Sequence, residues 1–88
     1  MNLKVTNKIC NVFIFTDPVR AYKIAKSIRN IRLKQKAKER IKANLMDMGY
    51  GKKEFANFSS EEQEKILKYL QCLEEGLLDF LEQIKKPD

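Results

Sequence analysis

Six large apolar residues in the last third of the chain recur at alternating intervals of four and three, the spacing of an apolar seam on an α-helix. They are Ile66, Leu70, Leu73, Leu77, Phe80 and Ile84. Just before them, Ser59 and Glu62 have the spacing of a capping box. The pattern predicts a capped amphipathic helix over residues 59–86, and we expect its seam to form the interface of a homodimer. Packing on another helix of the same chain is the alternative.

A second helix start lies at Asp17-Pro18, because Asp accepts backbone N–H groups at an N-cap and proline suits the first helical position. Apolar residues at helical spacing continue to Met48, and Gly49 suits the left-handed conformation that ends many helices. The sequence therefore predicts one basic helix over residues 17–48 and a loop over residues 49–58 with a short helical turn. The early and late apolar positions point about 60–80° apart, so this helix either bends or leaves its middle in solvent.

The first 16 residues carry two short runs rich in β-branched and aromatic side chains, at residues 3–6 and 9–16. Such residues favour β-strands, and Asn7-Lys8 between the runs can form a two-residue turn. We therefore predict an N-terminal β-ribbon over residues 1–16 and an α+β fold that is mainly helical.

The chain has 88 residues, and this length predicts a single domain over residues 1–88. We identify no secretory signal and no run of the roughly 18 apolar residues that a membrane helix needs. We therefore expect a cytoplasmic protein without a membrane partner. Cys10 and Cys72 stand in unlike contexts, and we expect two buried free thiols rather than a disulfide, as in a reducing compartment.

Histidine is absent from the sequence, which removes Ser–His and Cys–His pairs and the usual Cys/His zinc sites. The carboxylates at residues 61–64 and 74–75 fall on the polar side of the last helix, where we expect them to be solvated. The pair Gly49 and Gly51 does not make a phosphate-binding loop. We predict no enzyme activity, no catalytic residue, no metal site and no cofactor.

Charge is divided unevenly along the chain: residues 1–53 carry a formal net charge of +11 and residues 54–88 carry −5. Seven of the fourteen residues from 29 to 42 are Lys or Arg, and such a helix can bind a phosphate backbone by releasing counterions. The predicted nucleic-acid-binding residues here are Arg29, Arg32, Lys34, Lys36, Lys38, Arg40 and Lys42. The alternatives are an acidic protein partner, a solvated face and, with little apolar support, an anionic membrane surface.

Two stretches of the chain carry a resemblance to a known family. Residues 12–17, Val-Phe-Ile-Phe-Thr-Asp, precede Arg-Ala-Tyr at 20–22, and residues 58–63, Phe-Ser-Ser-Glu-Glu-Gln, precede the leucine-rich helix. They resemble the last wing strand and the final dimerisation helix of MarR/SarA-type winged-helix regulators, without the helix-turn-helix and with Val19 where a glycine is usual. The resemblance implies that Lys4 and Lys8 lie near a DNA minor groove and that the terminal helices form a dimer.

These patterns predict a small, non-enzymatic nucleic-acid-binding or transcription-associated protein that acts as a dimer on DNA. A small protein-binding regulator or inhibitor, for example from a mobile element, is one alternative. A pure oligomerisation module is the other.

Overall fold

The computed structural model describes the backbone of residues 3–74 and 76–85, and the side chains of this part from residue 8 onward. Five α-helices follow one another: α1 (Leu3–Thr16), α2 (Pro18–Ser27), α3 (Ile31–Met48), α4 (Ser60–Cys72) and α5 (Leu77–Lys85), with a 3-10 turn at Phe55–Asn57 before α4. No β-strand occurs in this part of the chain; Tyr50 and Lys53 form only an isolated bridge. The chain divides into two compact units, unit 1 (Met1–Ile41) and unit 2 (Lys42–Asp88).

The predicted N-terminal β-ribbon is wrong, because residues 3–16 form α1 and Asn7-Lys8 lies inside that helix. In a helix, Cys10, Phe13 and Ile14 lie on one face, whereas a strand would place Phe13 opposite the other two. This face packs against the buried Ala21 and Ala25 of α2, together with Leu33 and Ala37 of α3. Burial against neighbouring helices outweighs the modest helix penalty of β-branched residues, which is at most about 0.7 kcal/mol each. The fold is therefore all-helical rather than α+β.

The predicted helix over residues 17–48 is divided into α2 and α3 by a short turn. Its predicted start is confirmed: the Asp17 Oδ1 accepts a hydrogen bond from the Arg20 N–H at 3.2 Å. After α2, Arg29 adopts a left-handed conformation with φ of 57°, and the Asn30 Oδ1 accepts from the Leu33 N–H at 3.1 Å to begin α3. The turn reorients the chain, so that the apolar residues of both helices reach the same core.

Unit 2 confirms the capping box at the start of α4. The Glu62 N–H donates to the Ser59 Oγ at 3.2 Å, and the Ser59 N–H donates to the Glu62 Oε1 at 3.0 Å. The predicted glycine at the end of α3 is confirmed as well, since Gly49 has a φ of +90°.

The predicted helix over residues 59–86 is interrupted, because α4 ends at Cys72 and α5 begins at Leu77. Gly76, whose N–H donates to the Leu73 carbonyl at 2.8 Å, lies in the interruption. Around these helices the buried side chains of unit 2 are Leu45, Phe58, Ile66, Tyr69, Cys72, Leu73 and Phe80. The interruption means that the six seam residues do not continue along one straight helix.

Candidate nucleic-acid interface

Unit 1 concentrates the positive charge of the protein. Residues 1–41 hold 11 Lys/Arg and two Asp/Glu, a formal net charge of +9, whereas residues 42–88 carry −3. Like charges crowded into three short helices repel one another. An anion bound to unit 1 would therefore relieve repulsion as well as gain attraction.

The predicted nucleic-acid-binding residues do not share one environment. Lys8, Arg29, Arg32 and Lys36 are exposed, Lys34, Arg40 and Lys42 are half-buried, and Lys38 is buried. The side chain of Lys4 lies outside the described residues, and Lys42 belongs to unit 2. The single stripe expected on one continuous helix is thus reduced to Arg32 and Lys36 on α3, with Arg29 in the turn before it.

Two of the predicted lysines contact an aromatic ring of unit 1. The Nζ atoms of Lys34 and Lys38 lie 5.9 and 5.8 Å from the centroid of the Tyr22 ring. At these distances an ammonium group is attracted to the face of the ring. Both lysines therefore help to hold α3 against α2, and they are poorer candidates for contacts with a ligand.

Three basic residues of α2 join the exposed surface although the sequence pattern did not single them out. Arg20, Lys23 and Lys26 recur every third position and are all exposed, opposite the buried Ala21 and Ala25. Arg20 also lies 3.9 Å from a carboxylate oxygen of Asp17. Their spacing in the sequence could have identified them, because residues three positions apart lie on one side of a helix.

An exposed aromatic residue of unit 1 lies at the end of α1 and contacts one of the predicted basic residues. The Phe15 side chain is 70% exposed, and the guanidinium carbon of Arg40 lies 5.4 Å from its ring centroid. Among the described residues, the buried Nε of Arg40 has no hydrogen-bond partner. Val12, 64% exposed, and Lys8 are on the same side of α1 as Phe15, since the three are spaced by four and three positions.

The strand and the lysine pair implied by the winged-helix resemblance are placed differently in the structure. Residues 12–16 are helical, and Lys8 projects from α1 rather than from a hairpin.

The apolar seam predicted to form a homodimer interface is partly buried inside unit 2, where Ile66 and Leu73 are fully buried and Phe80 is 1% exposed. Leu70, Leu77 and Ile84 are half-buried.

Cys10 and Cys72 are buried thiols that are not joined in a disulfide, as predicted. The Cys10 thiol donates to the Ala21 carbonyl oxygen at 3.2 Å, and burial raises the pKa of this thiol above its ordinary value. A buried thiol with a raised pKa is a poor nucleophile.

Within the described residues, no group of three or more Cys, Asp or Glu side chains is arranged to hold a metal ion.

Comparisons with known proteins found no matching protein family, no matching curated protein and no matching solved structure. Among the described helices, none combines the length and the apolar character needed to span a bilayer.

Proposed function

We propose that this chain is a non-enzymatic nucleic-acid-binding protein whose unit 1 contacts the phosphate backbone. The observation that carries the proposal is a set of five exposed cations on α2, the following turn and the start of α3. They are Lys23, Lys26, Arg29, Arg32 and Lys36. No acidic side chain among the described residues forms an ion pair with any of them.

The spacing of these cations favours a repeating anion over a single carboxylate. Lys23 and Lys26 are separated by about 4.5 Å along the axis of α2, and Arg32 and Lys36 by about 6 Å along α3. A nucleic acid presents its charges at regular short intervals and releases condensed counterions when cations replace them. Several exposed Lys and Arg residues at short intervals gain from that release at each contact.

The homodimer predicted from the terminal seam is not part of this proposal. Three of its six side chains, Ile66, Leu73 and Phe80, are already covered within the protomer. A monomer with the exposed surface of unit 1 is sufficient for the phosphate contacts described above.

The salt dependence of binding tests the proposal. If all five cations contact phosphates of duplex DNA, log K falls with log salt at a slope of about −4.5. The double variant Arg32→Gln with Lys36→Gln removes two contacts, and its slope is expected near about −2.7. Fluorescence anisotropy of a labelled 20-base-pair duplex, titrated at several salt concentrations, measures both slopes.

A matched control comes from unit 2, where Lys52 and Lys68 are also exposed. Lys52→Gln with Lys68→Gln makes the same change in net charge but should leave the slope within error of the unchanged protein. If the two double variants change the slope equally, binding depends on the total charge of the protein and not on the cations of unit 1. An absence of binding to duplex and single-stranded probes at low salt would remove the proposed function.

A further inference from the structure

We propose that unit 1 binds single-stranded nucleic acid in preference to duplex, with Phe15 as a stacking platform for an unpaired base. This inference rests on the proposed function and adds the class of nucleic acid. Its basis is an aromatic ring that is largely open to solvent beside a guanidinium group, on the most basic part of the molecule.

The Phe15 ring is not needed to complete the core of unit 1. That core is formed by Cys10, Ile14 and residues of α2 and α3, while Phe15 remains 70% exposed. Proteins that bind single strands stack bases on exposed aromatic side chains, because every base has a π-face. An unpaired base on the face of the Phe15 ring that Arg40 leaves open would cover the ring without any rearrangement of the core.

Arg40 supplies the second half of the arrangement. Its guanidinium carbon lies 5.4 Å from the Phe15 ring centroid, a cation–π distance. Its buried Nε lacks a hydrogen-bond partner among the described residues. A cation fixed beside a stacking ring suits a nucleotide, whose base and phosphate are recognised together.

Other occupants fit this surface less well. A second copy of unit 1 would bring another net charge of +9 against the first. An anionic bilayer surface needs several bulky apolar anchors beside the cations, and on this side of α1 Phe15 is accompanied only by Val12. A duplex offers no free base face, since its bases are already stacked unless a step is opened at a cost.

The test compares a labelled 20-nucleotide single strand with a 20-base-pair duplex of the same sequence, using anisotropy at one salt concentration. Phe15→Ala is expected to weaken single-strand binding by about 5- to 150-fold, the range for loss of one stacked base, and to leave duplex binding unchanged. Phe15→Trp should restore single-strand affinity, and the fluorescence of its indole should be quenched by the bound strand. Leu78→Ala, at a position that is 77% exposed in unit 2, is the matched control and should have no effect.

Three results would overturn the inference. The first is an unchanged single-strand affinity in Phe15→Ala, and the second is an equal weakening of single-strand and duplex binding in that variant; either outcome would leave phosphate binding by unit 1 intact. Binding to anionic phosphatidylserine vesicles that exceeds binding to the single strand, and that Phe15→Ala abolishes, would assign the surface to a membrane. If the unchanged protein binds neither nucleic-acid probe, the proposed function itself fails. Far-UV circular dichroism of each variant checks that the helices are retained.

Discussion

Replacement of Gly51 by alanine should destabilise unit 2 through two separable effects. The first is backbone strain, since Gly51 has a φ of +95°, and a residue with a Cβ in such a conformation costs about 1–3 kcal/mol. The second is overlap with Ile84. A Cβ on Gly51 would lie 3.0 Å from the Ile84 Cγ1 and 3.2 Å from its Cβ, and closer still to its Cδ1. Because the contact reaches the Ile84 Cβ, rotation of the side-chain end cannot remove it, and overpacking of this kind costs about 1–3 kcal/mol more.

Gly49 provides the control for the backbone effect. Its φ is +90°, and a Cβ at Gly49 would meet no atom of the described residues within 4 Å. Gly49→Ala should therefore cost only the backbone strain, about 1–3 kcal/mol. The difference in the free energy of unfolding between Gly51→Ala and Gly49→Ala measures the overlap.

Urea denaturation followed by far-UV circular dichroism gives these free energies, and a double-mutant cycle isolates the contact. In an Ile84→Ala background the overlap with Cγ1 and Cδ1 is removed and only the 3.2 Å approach to the Cβ of residue 84 remains, so the extra cost of Gly51→Ala over Gly49→Ala should become much smaller. Equal destabilisation by the two glycine variants in the unchanged background, or a difference between them that Ile84→Ala leaves undiminished, would refute the close approach of Gly51 to Ile84.

Two further predictions concern titratable groups. The Ser59 backbone N–H, with the Ser59 hydroxyl, lowers the pKa of Glu62 below its ordinary value of 4.5; this stabilisation is complete above about pH 4.5 and is lost as the pH falls through the lowered pKa. An NMR titration of the Glu62 carboxyl should show this lowered pKa, and Ser59→Ala, which removes the hydroxyl but keeps the backbone N–H, should raise it only in part. A Glu62 pKa at or above its ordinary value in the unchanged protein would contradict the capping box. Burial raises the pKa of the Cys10 thiol, so iodoacetamide at pH 8 should label Cys10, identified by mass spectrometry of its peptide, only after urea is added. Rapid labelling of Cys10 in the native protein would contradict its burial.

Much of the local structure could be predicted from the sequence. The Asp17 cap, the Ser59–Glu62 capping box and the glycine that ends α3 all depend on groups within about four residues of one another. No distant part of the chain is needed to satisfy them. The division of charge between the two parts of the chain is likewise a property of the sequence.

The state of the first 16 residues could not be predicted in the same way. Their β-branched and aromatic side chains suit a strand, but the deciding interaction is burial of Cys10 and Ile14 against Ala21 and Ala25 of α2. Partners 7 to 15 positions away along the chain are invisible to a local pattern. The strand preference of such side chains depends on what they pack against, and here they pack against helices, which favours the helical conformation.

The candidate site was predictable as a region but not as a set of side chains. The excess of lysine and arginine located it, yet only the tertiary structure placed Lys34 and Lys38 against Tyr22 and left Lys23 and Lys26 in solvent. Which side of a helix is exposed depends on what the other side packs against. Because the turn at Arg29 separates α2 from α3, the exposed side of α3 does not continue that of α2.

The sequence alone determined the helix starts at Asp17 and Ser59, the helix end at Gly49 and which part of the chain carries the positive charge, because capping is local and formal charge does not depend on folding. Only the tertiary structure decided that residues 3–16 are helical, that both long helices are interrupted, and that Phe15 is left exposed beside Arg40. These features depend on which surfaces are removed from water, and that is settled by contacts between residues that are distant along the chain.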